Sequence, residues 1–105
     1  MSSPTKAKLD AMVQEAIVDC YNESEQATGL FTMMEDNLAL PFATSILGSV
    51  VTVESVELDD DDAIVAVCAR DGVRQRVGIL DLPIPSPAPE GAEWIAAYRR
   101  WRRGE

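Results

Sequence analysis

The segment ESEQATGLFTMMEDNLALPF, residues 23–42, marks the point where a helical half of the chain gives way to a β-rich half. Its apolar residues, Leu30 and Met34 among them, predict a short helix that runs to about Leu38. Pro41 cannot continue a helix, because its ring fixes φ and removes a backbone donor. The sequence therefore predicts a helix-to-sheet junction here.

Two acids lie at an unfavourable place in this segment. Glu35 and Asp36 fall in the last turn of the predicted helix, where the partial negative charge of the helix end favours cations. The segment contains no Lys, Arg or His that could offset them. We therefore expect a positive group nearby, either arginine from elsewhere in the chain or a bound metal ion.

A first helix is predicted before this segment, from Lys6 to Tyr21, and residues 1–5 are predicted to be disordered. Its apolar residues recur at the spacing of one helix face. Tyr21 and Asn22 are predicted to break the helix, although Gly29 could instead be a kink in one longer helix. Residues 6–38 thus form the predicted helical part. The apolar stripe consists of Leu9, Met12, Val13, Ala16, Ile17 and Cys20.

An antiparallel β-meander is predicted for residues 49–80. Ser49 to Leu58 is rich in β-branched residues, which favour strands. Ala63 to Arg70 is an apolar run typical of a buried strand, and Asp71-Gly72 is a strong signal for a two-residue hairpin turn. Val73 to Leu80 is predicted to return as a third strand. The four aspartates 59–62 form the turn between the first two strands.

The C-terminal part combines a proline-rich connector with a last helix. Residues 82–89 have proline at alternate positions, which predicts an extended connector. Residues 90–103 predict a helix whose stripe of Trp94, Tyr98 and Trp101 is expected to dock on the sheet. The arginines at its end agree with the helix dipole.

The bulk composition predicts one small acidic domain spanning residues 1–105, and we expect a monomer. Residues 1–62 hold 13 acids and 2 lysines, a net of −11, whereas residues 63–105 hold 7 arginines and 5 acids, a net of +2; together they give the −9 of the chain. Such a charge argues against nucleic-acid and anionic-membrane partners and favours cations or basic proteins.

Sequence features also limit the compartment and the chemistry. Residues 1–8 have no apolar run typical of a signal peptide, and Cys20 and Cys68 are predicted to be free, buried thiols of a cytoplasmic protein. The chain has no histidine, which excludes Ser-His-Asp triads and ordinary zinc sites. No general acid or base is identifiable, so we do not expect an enzyme.

The clustered carboxylates suit a hard cation, and calcium is the best candidate, with magnesium or manganese as alternatives. An EF-hand is excluded, because a loop read from Asp59 has Ile64 where glycine is needed and Arg70 where the bidentate glutamate belongs. Arginines that neutralise the acids internally are the rival explanation. A bound basic protein is another alternative.

The chain resembles the small acidic calcium-binding proteins of the CcbP type, known from cyanobacteria. Two further features fit the pattern of this family: the valine-rich strand after Leu47-Gly48 and the final tryptophan-containing helix. The two motifs that carry the resemblance are Tyr21-Asn22-Glu23-x-Glu25-Gln26-x-x-Gly29 and Glu35-Asp36-Asn37-Leu38-x-x-Pro41-Phe42.

The resemblance implies an α+β fold in which N-terminal helices pack on a small SH3-like antiparallel barrel. It implies a cytosolic calcium buffer or sensor of modest affinity, with Asp36 and Glu35 as principal ligands. Secondary candidates are Glu23, Glu25 and the turn residues Asp59, Asp60, Asp61 and Asp62. The alternative is a metal-independent module whose acidic surface binds a basic protein.

Overall fold

The computed structural model describes residues 4–103, in which helices come first, a sheet follows and a last helix closes the chain. The α+β class is confirmed. A 3-10 turn, Ile79–Asp81, follows the last strand. The helices are α1 (Lys6–Ile17), α2 (Glu23–Asn37) and α3 (Glu93–Arg103), and the strands are β1 (Phe42–Ile46), β2 (Ser49–Leu58), β3 (Ile64–Arg70) and β4 (Val73–Gly78).

Helix α1 is shorter than predicted. It begins after Thr5, whose side chain accepts a hydrogen bond from the Lys8 backbone N–H at 3.1 Å. It ends at Ile17 rather than Tyr21, because the chain turns at Asp19, which has a positive φ of 66°. Disorder was predicted for residues 1–5. Residues 1–3 lie outside the described residues, and Thr5 is the N-cap of α1.

Helix α2 is separate from α1, so the alternative of one long helix kinked at Gly29 is wrong. Asn22 caps α2 by accepting a hydrogen bond from the Glu25 N–H at 2.8 Å. Gly29 lies within α2, and a Cβ there would sit 2.3 Å from the Ala16 carbonyl oxygen. The glycine is therefore needed for the close approach of α1 and α2.

The four strands form one antiparallel sheet in the order β1-β2-β3-β4. Strand β1 was not predicted from the sequence. It pairs with β2 through the turn at Leu47 and Gly48, which have φ of 50° and 80°. Asp71 and Gly72 have the same left-handed pair, φ 52° and 80°, so the predicted hairpin turn is confirmed.

The sheet is open in the described residues, with β1 and β4 as its edges, and the SH3-like barrel is not confirmed. Strand β4 ends at Gly78 rather than at Leu80, because the chain then enters the 3-10 turn. Ile79 was expected on a strand face. It lies instead in that turn, and its side chain is fully buried.

Helix α3 lies closest to α1 and α2, and its apolar stripe shares one core with buried residues of β2 and β3. Trp94, Ile95 and Tyr98 are buried in that core together with Val53 and Ile64. The Tyr98 hydroxyl accepts a hydrogen bond from the Ile64 backbone N–H at 3.1 Å, where β3 begins. This bond joins the middle of α3 to the start of β3.

The cysteines are both free, but only one is buried. Cys68 is 5% exposed, and its burial raises the pKa of the thiol. Cys20 is half-buried, and its Sγ lies 3.4 Å from the Glu25 carbonyl oxygen. The prediction of two buried thiols therefore holds for Cys68 alone. None of the helices in residues 4–103 has the length and apolarity needed to cross a membrane.

Candidate functional site

The candidate site is an open cleft of about 360 Å³ where three elements meet. The start of α2, the turn between β2 and β3, and the end of α3 each supply part of its wall. This arrangement brings together acids that are 38 residues apart in the chain, Glu23 and Asp61. The lining residues are Glu23, Ser24, Ala27, Asp61, Asp62, Trp101 and Arg102.

Glu23 enters the cleft from the first turn of α2. The partial positive charge at a helix start favours a carboxylate there, so the charge of Glu23 does not need a cationic partner. Glu25 lies in the same turn, and its Oε2 accepts the Tyr21 backbone N–H at 3.2 Å. Glu25 therefore helps to cap the helix and does not line the cleft.

The turn of four aspartates is shaped by its first member. Asp59 Oδ1 accepts the backbone N–H groups of Asp61 and Ala63, each at 2.9 Å. Asp62 adopts a left-handed conformation with φ of 60°, and its N–H donates to the Asp59 carbonyl at 3.1 Å. Asp59 thus orients the turn, and Asp61 and Asp62 line the cleft.

Helix α3 closes the cleft with an aromatic and a cationic side chain. Trp101 is half-buried, and its indole N–H donates to the Gln26 side chain at 2.9 Å. Arg102 Nη1 lies 3.5 Å from the Asp62 carbonyl oxygen. The Arg102 guanidinium carbon lies 5.9 Å from the centroid of the Tyr98 ring, within the range of a cation–π contact.

The donor set of the cleft suits calcium in kind, because carboxylate, hydroxyl and carbonyl oxygens are the ligands that this ion prefers. The side chains do not form a finished site. Among residues 4–103, no three His, Cys, Asp or Glu side chains converge closely enough to hold one ion. Ligation in the cleft would therefore need the side chains of Glu23, Asp61 and Asp62 to rotate inward.

Glu35 and Asp36 lie at the opposite end of α2. Thirteen residues separate Glu23 from Asp36, which is about 20 Å along a helix. Since calcium–oxygen distances are about 2.3–2.6 Å, one ion cannot bind both ends. The structure thus divides the predicted ligands into two groups, and Asp60 is an exposed turn residue that does not line the cleft.

Arginine neutralisation of Glu35 and Asp36 does not occur among the described residues. The arginines that form salt bridges within residues 4–103 pair with acids other than Glu35 and Asp36. Asp10 receives two hydrogen bonds from Arg100, and these hold the pKa of the Asp10 carboxyl below its usual range. The salt bridges are Arg70–Asp71, Arg74–Glu54, Arg76–Glu57 and Arg100–Asp10.

Sequence reasoning missed Trp101 and Arg102 as cleft residues. The periodicity of α3 placed Trp101 on its apolar stripe, and Arg102 belonged to a run of like charges. Neither pattern indicates which other element of the fold lies next to the end of α3. Trp101 is 75 residues from its partner Gln26, so the sequence contains no local signal for this contact.

A calcium-binding protein family, the CcbP family, has a sequence model that matches residues 10–102 of this chain. The chain belongs to this family. The match extends from within α1 to the last turn of α3 and includes every candidate ligand. A search of curated proteins found no significant match.

Two solved structures share the fold of this family member. The crystal structure of Anabaena CcbP is 20% identical, with a TM-score of 0.77 over 96% of this chain and 94% of that chain. A structure described as a calcium-binding protein in the calcium-binding form is 22% identical, with a TM-score of 0.75 over 99% of this chain and 98% of that one. At these identities the likeness establishes the fold.

Proposed function

We propose that this protein binds calcium without an EF-hand and acts as a cytosolic calcium buffer or sensor of modest affinity. Membership of a calcium-binding family supports the ion. The observation that carries the proposal is the cleft that brings Glu23 together with Asp61 and Asp62. We propose no catalytic role.

The cleft is the preferred site because its acids come from two different elements. An ion held there would join the start of α2 to the turn between β2 and β3, so binding would stabilise the fold as well as sequester calcium. The side chains must first rotate inward, and that cost agrees with modest affinity. Glu35 and Asp36 remain predicted ligands of a second, independent site.

The competing cations differ in the geometry that they require. Magnesium demands a nearly regular octahedron with ligands at about 2.0–2.1 Å, whereas calcium accepts six to eight oxygens in flexible arrangements. A wide, open cleft fits calcium better. Manganese and magnesium are therefore expected to bind more weakly at the same carboxylates.

Calorimetric titration with calcium, at physiological salt and after chelator treatment, tests the proposal. A cleft variant combines Glu23→Gln, Asp61→Asn and Asp62→Asn, and a helix-end variant combines Glu35→Gln and Asp36→Asn. Glu15→Gln, an exposed acid on α1, is the matched control. We expect the cleft variant to bind at least tenfold more weakly than wild type, because loss of even an outer-shell partner of a metal ligand typically lowers the affinity about 10–100-fold.

The possible results separate the hypotheses. Loss of binding only in the helix-end variant would move the principal site to Glu35 and Asp36, as the sequence suggested. Loss in neither variant would reject both ligand assignments. Heats of wild-type protein equal to those of the buffer blank would reject calcium binding itself.

A basic protein partner is the second candidate function. It is favoured by the absence of salt bridges to Glu23, Glu35 and Asp36 among residues 4–103. A partner would be captured equally well with and without chelator, and competing salt would release it. Capture that requires calcium would instead indicate a sensor.

A further inference from the structure

Arg102 is the one cationic side chain that lines the acidic cleft in the described part of the chain. Its guanidinium lies 5.9 Å from the centroid of the Tyr98 ring, and its Nη1 lies 3.5 Å from the Asp62 carbonyl oxygen; both are long, weak contacts. Tyr98 is itself 1% exposed and fixed by its hydrogen bond from Ile64, so the ring is a rigid support. The positive charge therefore belongs to an exposed side chain in the wall of the cleft.

The Arg102 charge is not consumed by another acid. Within residues 4–103 it forms no salt bridge, whereas Arg74, Arg76 and Arg100 each do. Its contact to Asp62 goes to a backbone carbonyl rather than to the carboxylate. A guanidinium in this position reduces the negative potential of the whole cleft instead of neutralising one carboxylate.

We propose that Arg102 is a tethered cation that competes with calcium for the cleft and limits its affinity. This inference rests on the proposed function. Calcium and a guanidinium repel each other, so an ion drawn between Glu23 and Asp61 binds when the Arg102 side chain swings outward. Arg102 has a long flexible stem and lies near the chain end of α3, which leaves it free to do so.

Trp101 makes this exchange observable. It lines the same cleft and precedes Arg102 directly, and its indole is held by Gln26, one turn along α2 from Glu23. A rearrangement of Arg102 changes the charge beside the indole. Calcium should therefore alter the tryptophan emission, and Trp101→Phe should remove that change while leaving the buried Trp94 signal.

The test compares Arg102→Gln with Arg103→Gln by calcium calorimetry and by tryptophan fluorescence. The two changes remove the same charge at adjacent positions, but Arg103 does not line the cleft. We expect Arg102→Gln to bind calcium roughly tenfold more tightly, since a like charge close to a divalent ion is lost. Arg103→Gln should change the affinity less than about threefold, because solvent and salt screen it.

Folding is checked by thermal melts in chelator, and Arg102→Met, which keeps an apolar stem, serves if Arg102→Gln fails to fold. Arg102→Lys retains the charge and should bind like wild type. Equal affinities for the Arg102→Gln and Arg103→Gln variants would overturn the inference while leaving calcium binding intact. Absence of calcium heats in every variant, wild type included, would reject the inference and the proposed function together.

Discussion

The substitution Gly91→Ala should destabilise the protein more than any other glycine-to-alanine change with a comparable φ. Gly91 has a φ of 85° and precedes α3. A Cβ there would lie 2.1 Å from the Asn37 carbonyl oxygen, 2.5 Å from its carbon and 2.7 Å from Leu38 Cα. These atoms are backbone, so no side-chain rotation can relieve the overlap.

The expected cost has two parts. A left-handed conformation costs a residue with a Cβ about 1–2 kcal/mol. Displacement of packed backbone adds about 1–3 kcal/mol, as overpacking does elsewhere. Gly48→Ala isolates the first part, because Gly48 has a φ of 80° and no heavy atom lies within 4 Å of its Cβ position. The Gly91 variant should therefore be less stable than the Gly48 variant by about 1–3 kcal/mol.

Urea unfolding, followed by circular dichroism, measures this difference as a shift of the midpoint at constant m-value. In a domain of this size, 1 kcal/mol corresponds to about 4–8 °C in Tm. Equal shifts in the two variants would refute the steric argument. Because Gly91 contacts the end of α2, its substitution should weaken calcium binding at Glu35 and Asp36 if they are ligands, and should spare the cleft.

Two further predictions concern hydrogen bonds seen in the structure. Tyr98→Phe removes the acceptor of the Ile64 N–H and should cost about 1–3 kcal/mol in urea unfolding, whereas Tyr21→Phe, at an exposed site, should be neutral. Loss of stability in neither variant would contradict the assigned bond. Asp10→Asn should change acid unfolding, because Arg100 lowers the folded-state pKa of Asp10, so its stabilisation is present above the unfolded pKa and is lost as the pH falls below about 4. Acid titration curves that coincide for wild type and the Asn variant would contradict this linkage.

Local chemistry predicted much of the fold. The apolar stripe before Ile17, the valine-rich β2 and the Asp71-Gly72 turn all carry short-range signals, and the structure contains each element. Strand β1 has no such signal, because its five residues are few and its one buried side chain is the polar Thr44. It exists because β2 supplies a pairing edge, which is a tertiary effect.

Packing partners were predicted less well than elements. The stripe on α3 was assigned to the sheet; Trp94 and Ile95 do share one core with the strands, but α1 and α2 lie closer to α3, and this was not predicted. An apolar face indicates only that this side of the helix is buried, and either a sheet or other helices can bury it. The end of α1 was misjudged for a related reason, because Cys20 continues the apolar spacing after the backbone has turned at Asp19.

The electrostatic argument from sequence located an acidic end of α2, and metal binding at that end stays a prediction. Exposed charges near a helix end alter stability by about 0.3–1 kcal/mol, and Glu35 and Asp36 are both exposed. The chain can tolerate that cost without a counter-ion, so misplacement alone does not demand a metal. Glu23 is favourably placed on its own helix, yet it shares a cleft with acids from the turn between β2 and β3. A cation is attracted most strongly where carboxylates from separate elements are held near each other, and only the tertiary fold determines that place.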